Sequence, residues 1–359
     1  MLSRRTFLKL SAAALGGALL PRRALAVAAP SGSALAPAEW WAAPGQPQFA
    51  LGRVTSAQAQ VMSRPHAEGK RIGWLFRDDV VRVERYVVGK GWYPHNHVWA
   101  ETRAGYVYSS LVQPVQPARH TPLPALPPEG LFVEVSVPYL EGYTAPDSRA
   151  AVSYRLYYAM ILQVDGIFAG SDGAVWYRIV DENSIGGQRM FADGRYLRPI
   201  LPDEIAPLAP AAADKQIRVN LARQRLSAFE GASEVYSARI SAGAEYFDPD
   251  GQSQGSRTKP GAYPMWSKRL SRHMVGGTLS DGYDLPGVGW VSYFASSGAA
   301  IHSTYWHNDF GRPKSHGCLN VAPADAQWLF RWTAPPVDYA PGNVTVQWPG
   351  GTRVVISEG

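Results

Sequence analysis

One cysteine occurs in 359 residues, in the string Ser315-His316-Gly317-Cys318-Leu319-Asn320. A lone thiol forms no disulfide within its own chain. In an exported protein it is free, paired between chains, or used chemically. His302 and His316 lie upstream in the same stretch, and Gly317 immediately precedes the thiol. A thiolate is a nucleophile, and an imidazole is a base able to generate it. A glycine turn can aim backbone N–H groups at an oxyanion. Together these parts suit acyl transfer. A zinc site is the rival reading, with Cys318, His302, His307 and His316 as ligands. Zinc sites usually combine close pairs such as C-x2-C or H-E-x-x-H, and neither occurs here. No metal and no cofactor is expected.

These residues need a scaffold. Residues 215–221 alternate polar and apolar, as a half-buried strand does. Residues 224–229 and 235–240 read as further strands, with a turn at 230–233 between them. Residues 324–332 read as a short helix entered through Pro323, which suits a first helical turn. Residues 344–348 and 353–356 close the chain as strands. The block 214–357 is therefore expected to be mostly β, with one short helix after the cysteine.

Proline divides the rest. Residues 27–47 read as a linker, 113–129 as a stiff Pro-rich linker and 201–213 as a third. Between them lie two blocks of short β-prone runs broken by turn residues, 48–112 and 130–200. In the first, Trp74, Trp92, Trp99 and Tyr106 are expected in a small core rather than on a binding face. The spacers imply that the blocks fold separately.

The N-terminus carries Arg4, Arg5, Lys9, Arg22 and Arg23 and no acid through residue 26. A weakly apolar run, 10–20, and the small-residue site Ala24-Leu25-Ala26 complete an export signal. That run is too short to span a membrane core, which needs about 20 residues. The whole chain is +6. Five of those charges belong to residues 1–26, which leaves the remainder near +1. That balance excludes a nucleic-acid or membrane-surface footprint. The string Ser3-Arg4-Arg5-Thr6-Phe7-Leu8-Lys9 resembles the twin-arginine motif. It implies the twin-arginine export machinery as a partner and an extracytoplasmic location, in the periplasm or cell wall.

Two further resemblances follow. The order Arg64-Pro65, Ile72-Gly73, Asp79-Val80-Val81 and Gly105-Tyr106-Val107-Tyr108 resembles a bacterial SH3-like domain. The block 130–200 has the same texture and reads as a second, divergent module of that kind. His302 with Ser315-His316-Gly317-Cys318-Leu319-Asn320 closely resembles the signature of the L,D-transpeptidases, the YkuD-type catalytic domain. Around it match Ile217-Arg218-Val219-Asn220-Leu221, Thr258-Lys259-Pro260-Gly261-Ala262-Tyr263, Tyr283-Asp284-Leu285-Pro286-Gly287-Val288, Tyr293-Phe294 and Asp325-Ala326. The departures are Lys259 before Pro260, Ser303 where many members have glycine, and Asn320 where many have arginine. The fold class implied is mainly β: one or two small SH3-like barrels, then the catalytic domain.

The resemblance implies a reaction on peptidoglycan stem peptides. The bond between the third and fourth residues of a tetrapeptide is cut, D-alanine leaves, and the third residue's carbonyl joins another amine. Cys318 is the implied nucleophile, its pKa lowered by a neighbouring imidazolium. His302 is the implied base, oriented by the backbone carbonyl of Ser303. Backbone N–H groups of His316, Gly317 and Cys318 would form an oxyanion hole. The His316 side chain either assists or only shapes that turn. Tyr283, Trp306, Ser315 and Asn320 are candidate substrate contacts. Hydrolysis of the same bond, an L,D-carboxypeptidase activity, would use the same acyl-enzyme. A non-catalytic wall-binding protein would be marked by loss of Cys318 or His302, and both are present. NlpC-type peptidases carry cysteine before histidine, the reverse of the order here.

Overall fold

The computed structural model describes residues 34–40, 50–182, 189–247, 251–253, 255–277, 282–347 and 350–359. The expected leader at 1–26, most of the expected 27–47 linker and Trp348 lie outside the described residues. The fold is mainly β, with a single α-helix among the described residues.

In the first block, Ala50–Val54 pairs on either side with Val80–Val83 and Val112–Val115. A second sheet runs in the order Arg71–Phe76, Gln58–Met62, Gly105–Tyr108, Asn96–Thr102, Arg85–Tyr93. Val54, Val61, Leu75, Val81, Val107 and Val112 pack together as a core. Trp99 is fully buried beside Tyr108, and Trp92 and Tyr106 are half-buried against them. Trp74 departs from the expectation. Arg71–Phe76 is an edge strand, and Ile72, Trp74 and Phe76 share its outer face. The Arg71 guanidinium covers the Trp74 ring at 4.6 Å.

The second block is one seven-stranded sheet. Its order is Val152–Tyr157, Tyr139–Tyr143, Met190–Asp193, Val175–Val180, Ile161–Ala169, Leu131–Val135, Leu197–Pro199. One of its short β-prone runs, 194–198, is strand only in its second half. Asp193 accepts the Arg195 N–H at 2.9 Å. This side-chain bond caps a 3-10 turn over Gly194–Tyr196, and the strand starts only at Leu197.

The third block holds two five-stranded sheets. One runs Ser233–Arg239, Arg225–Glu230, Lys215–Asn220, Arg353–Ser357, Gly261–Pro264, with Lys215–Asn220 parallel to Arg353–Ser357. The other runs Leu319–Val321, Ala300–Ser303, Tyr283–Tyr293, Ser267–Gly276, Asn343–Thr345. Ile217, Val219, Leu226 and Val354 of the first share a core with Leu270, Trp290, Ile301 and Leu319 of the second. Helix α1, Pro323–Trp332, adds Ala326, Leu329, Phe330 and Trp332 to that core. Its last carbonyls lack helical partners, as at any helix end. Two lysines supply them. Lys215 Nζ donates to Trp332 O at 3.0 Å. Lys268, 1% exposed, donates to Thr333 O and Pro335 O at 2.8 Å and to Phe330 O.

The spacers do not hold the blocks apart. One core runs through Leu51 and Val80, then Leu131, Val133 and Leu162, then Val288, Val291 and Tyr305. Its members come from all three blocks. The contact is closest at Gly289. A β-carbon there would lie 2.3 Å from Ile161 Cγ1 and 3.3 Å from Ser303 Oγ. The second block is thus seated against Tyr283–Tyr293, the strand that neighbours the one bearing His302.

Candidate functional site

The site is built where Ala300–Ser303 and Leu319–Val321 run parallel, with Ile301 opposite Leu319 and His302 opposite Asn320. Cys318 immediately precedes its strand. The two residues, sixteen apart in sequence, therefore lie on adjacent strands, with Cys318 level with Ala300, two positions along from His302. Parallel strands require a long connection, and here it is the loop 304–318.

His302 is 2% exposed. Its Nδ1 lies 2.9 Å from the Ser303 carbonyl oxygen. A carbonyl only accepts, so Nδ1 carries the proton and Nε2 is the basic nitrogen. Burial lowers the pKa to about 4, against the Ser303 bond that raises it. The ring is neutral at pH 7. Ser303 is fixed in turn: its Oγ accepts the Gly289 N–H at 3.1 Å. The Trp306 ring lies 5.8 Å from that of His302.

Cys318 is half-buried. Burial pushes its thiol up to about 11, and the Ala300 backbone opposes this only in part. Sequence reasoning expected a thiol lowered by an imidazolium. The structure instead leaves both the thiol and the imidazole neutral, because burial disfavours each charged form and neither group has the other's charge to stabilise it.

The turn before the thiol is tightly tied. Gly317 has φ of +115°, a region that side chains rarely adopt. Its carbonyl accepts Thr258 Oγ1 at 3.0 Å, and Thr258 Oγ1 also accepts the Gly243 N–H at 2.8 Å. Ser315 Oγ donates to Cys318 O at 2.6 Å and accepts the Gly317 N–H at 3.2 Å. The Gly317 N–H is thereby already engaged. The other two of the expected three are the N–H groups of His316 and Cys318.

A pocket of about 370 Å³ opens onto Cys318. Its walls include Thr258, Tyr263, Tyr283, Phe294, His316 and Gly317, with Arg257, Lys259, Ser296 and Ser297 around them. None of the described lining residues is acidic. His316 is stacked on Tyr246, ring centres 4.2 Å apart, and Tyr283 leans over it at 4.9 Å. Its imidazole is a wall of the pocket.

Four residues were candidate substrate contacts, and of these only Tyr283 lines the pocket. Ser315 holds the turn from behind. Trp306 packs on His302. Asn320 is 1% exposed, with its amide 3.0 Å from His307 Nε2. His307 Nδ1 accepts the Asp309 N–H at 3.2 Å. Burial holds His307 down at about 3. Asn320 therefore sits behind the site, against the loop that carries His307.

Arg257, Ser296, Ser297 and Tyr246 were not singled out beforehand. They come from separate segments with no motif of their own. Lys259 had been noticed, but only as a departure from pattern. Among the described residues, no three His, Cys, Asp or Glu side chains converge as a metal-holding group. No helix among them is long and apolar enough to cross a membrane.

A family model for YkuD, the L,D-transpeptidase catalytic domain, matches residues 214–356. Among solved structures, an Enterococcus faecium L,D-transpeptidase cysteine-to-serine mutant is 21% identical, covering 41% of this chain and 51% of that one, with a TM-score of 0.30. An L,D-transpeptidase from Xylanimonas cellulosilytica is 24% identical over 42% of this chain and 64% of that one, TM-score 0.28. The E. faecium catalytic domain acylated by ertapenem is 21% identical over 40% and 97%, TM-score 0.29. This chain thus spans about half of the first and under two-thirds of the second. No curated protein matches.

Proposed function

We propose that the block carrying Cys318 is a peptidoglycan L,D-transpeptidase acting by cysteine acyl transfer. The observation that carries this reading is the hydrogen bond from His302 Nδ1–H to the Ser303 carbonyl, beside Cys318 on the adjoining strand. It leaves a neutral Nε2 free to act as base. The thiol proton passes to Nε2 as sulfur attacks the carbonyl of the third stem residue. The N–H groups of His316 and Cys318 receive the oxyanion. Collapse expels the D-alanine amine, which takes the proton from His302 and leaves a thioester. An acceptor amine then attacks the thioester, its proton going to Nε2, and Cys318 is released as thiol.

The cationic rim of Arg257 and Lys259 suits a donor bearing carboxylates. The leader directs this activity outside the cytoplasm, where peptidoglycan lies. The first two blocks are SH3-like modules, and their outward aromatics, such as Trp74, are candidates for wall contact.

The test is product analysis by mass spectrometry with purified stem tetrapeptide and an amine acceptor. A cross-linked product with loss of D-alanine is expected, and it should vanish in Cys318→Ala. Tripeptide alone would mean hydrolysis, the carboxypeptidase outcome. Ertapenem offers a second readout, one adduct per chain on Cys318.

A further inference from the structure

Arg53 stands on Ala50–Val54 of the first block and is 3% exposed. Every arm of its fork is used. Nη1 donates to Asp78 Oδ1 at 3.0 Å. Nε and Nη2 donate to Gln113 Oε1 at 3.1 and 2.8 Å. Nη2 also crosses into the third block and donates to the Tyr305 carbonyl at 2.5 Å. The second block closes the arrangement. Its Tyr157 ring lies 4.3 Å from the guanidinium and stacks on Tyr305 at 6.0 Å. Its Arg155 holds the other oxygen of Asp78 at 3.0 Å.

All three blocks therefore meet around the bond from Arg53 to the Tyr305 carbonyl, and the position of Tyr305 in the chain matters. Tyr305 opens the loop between His302 and Cys318. The next residue is Trp306, whose ring lies against His302. The first block holds the rest of this loop too. Asn308 Nδ2 donates to Ser109 O at 3.0 Å, and His95 Nε2 lies 2.7 Å from Asp309 Oδ1. Arg312 sits over the Tyr93 ring at 4.3 Å.

Burying a cation carries a desolvation penalty, and apolar residues often hold an interface as well. An apolar residue cannot donate to a carbonyl in a set direction. A planar fork can, and lysine is no substitute for it. We infer that Arg53 is a positioning residue for acyl transfer: by fixing the Tyr305 carbonyl it sets Trp306, and through it the His302 ring relative to Cys318. The first block is then an integral part of the catalytic unit rather than a detachable anchor. This inference rests on the roles proposed for His302 and Cys318.

The test uses the full chain. Ertapenem acylation and iodoacetamide alkylation of Cys318 are each timed by intact mass, for wild type, Arg53→Lys and Arg53→Met. Acylation needs the aligned base, whereas alkylation needs only a reachable thiol. Both variants should acylate about 10- to 100-fold more slowly, the scale of a misplacement near 1 Å. Their alkylation should change less than about threefold on that view. A thermal melt checks that each is folded. Where Arg53→Met does not fold, Arg53→Lys and the milder Gln113→Met carry the test. A folded Arg53→Lys that acylates at the wild-type rate overturns the inference. So does equal slowing of both reactions, which would mark a merely loosened fold. A wild type that takes no ertapenem adduct and makes no product sinks the proposed function instead.

Discussion

Acylation of Cys318 should be nearly independent of pH across the neutral range. The perturbation is pH alone, and the magnitudes follow from burial. His302 lies at about 4 and Cys318 at about 11. At pH 6 about one His302 ring in a hundred is protonated, whereas an imidazole at its ordinary value of about 6.5 would be about three-quarters protonated. At pH 7.5 the thiolate fraction is about a hundredth of that for a thiol at its reference value of 9.0. Protonating His302 removes the base, so acylation should fall only as pH drops toward 4. Ionising Cys318 adds nucleophile, so acylation should climb only as pH nears 11. Between about pH 5.5 and 9 the rate should stay within about twofold. Iodoacetamide requires thiolate, so at pH 7.5 it should react about a hundredfold more slowly than with a small thiol of pKa near 9. Both reactions can be timed by intact mass, and the single cysteine makes the adduct unambiguous. Alkylation as fast as the small thiol would refute the reasoning, as would an acylation midpoint between pH 6 and 7. Either would mean a preformed thiolate–imidazolium pair.

Removing the base in His302→Ala should slow ertapenem acylation by about 10²–10⁴-fold; a folded variant retaining a tenth or more of the rate would take His302 out of that role. Thr258→Val keeps the side-chain shape but deletes the hydroxyl bonded to Gly243 and Gly317. It should lose about 1–3 kcal/mol in urea unfolding and slow acylation, and an unchanged midpoint would contradict this. Gly317→Ala meets no clash, since its β-carbon would lie 3.6 Å from Ser256 O. Its loss, about 1–2 kcal/mol, should come from the positive φ alone, and wild-type stability with wild-type acylation would show that the turn tolerates a side chain. Lys268→Met would strand the carbonyls of Phe330, Thr333 and Pro335. It should destabilise by at least about 1–3 kcal/mol without altering the acylation rate of the folded fraction.

Much of the third block was legible because its signals are local. Alternation between 215 and 221 marked a strand, and Pro323 marked the start of the helix. Single-residue chemistry drew attention to Cys318. The long hairpin of Ser267–Gly276 and Tyr283–Tyr293 gave no such signal. Its inner residues, from Pro286 to Ser292, are buried without alternation, and a strand covered on both faces loses the period-two pattern. Trp74 was misjudged for a related reason. Sequence reports that a residue is apolar, but not that its strand lies at an edge.

The amino-acid order by itself determined which groups are present: one thiol, His302 at its fixed interval, and the Gly317 turn. Residue type sets chemical capacity, and no folding is needed to read it. Tertiary structure alone decided their protonation. Burial raises Cys318 and lowers His302, and burial is a property of everything packed around a group rather than of its neighbours in the chain. It also decided which candidates reach the pocket, turning Asn320, Ser315 and Trp306 inward while leaving Tyr283 on the wall. Finally, it brought Arg53 to the Tyr305 carbonyl across 252 residues of sequence. A contact of that separation leaves no periodicity or motif, because it exists only once the three blocks have closed on a common core.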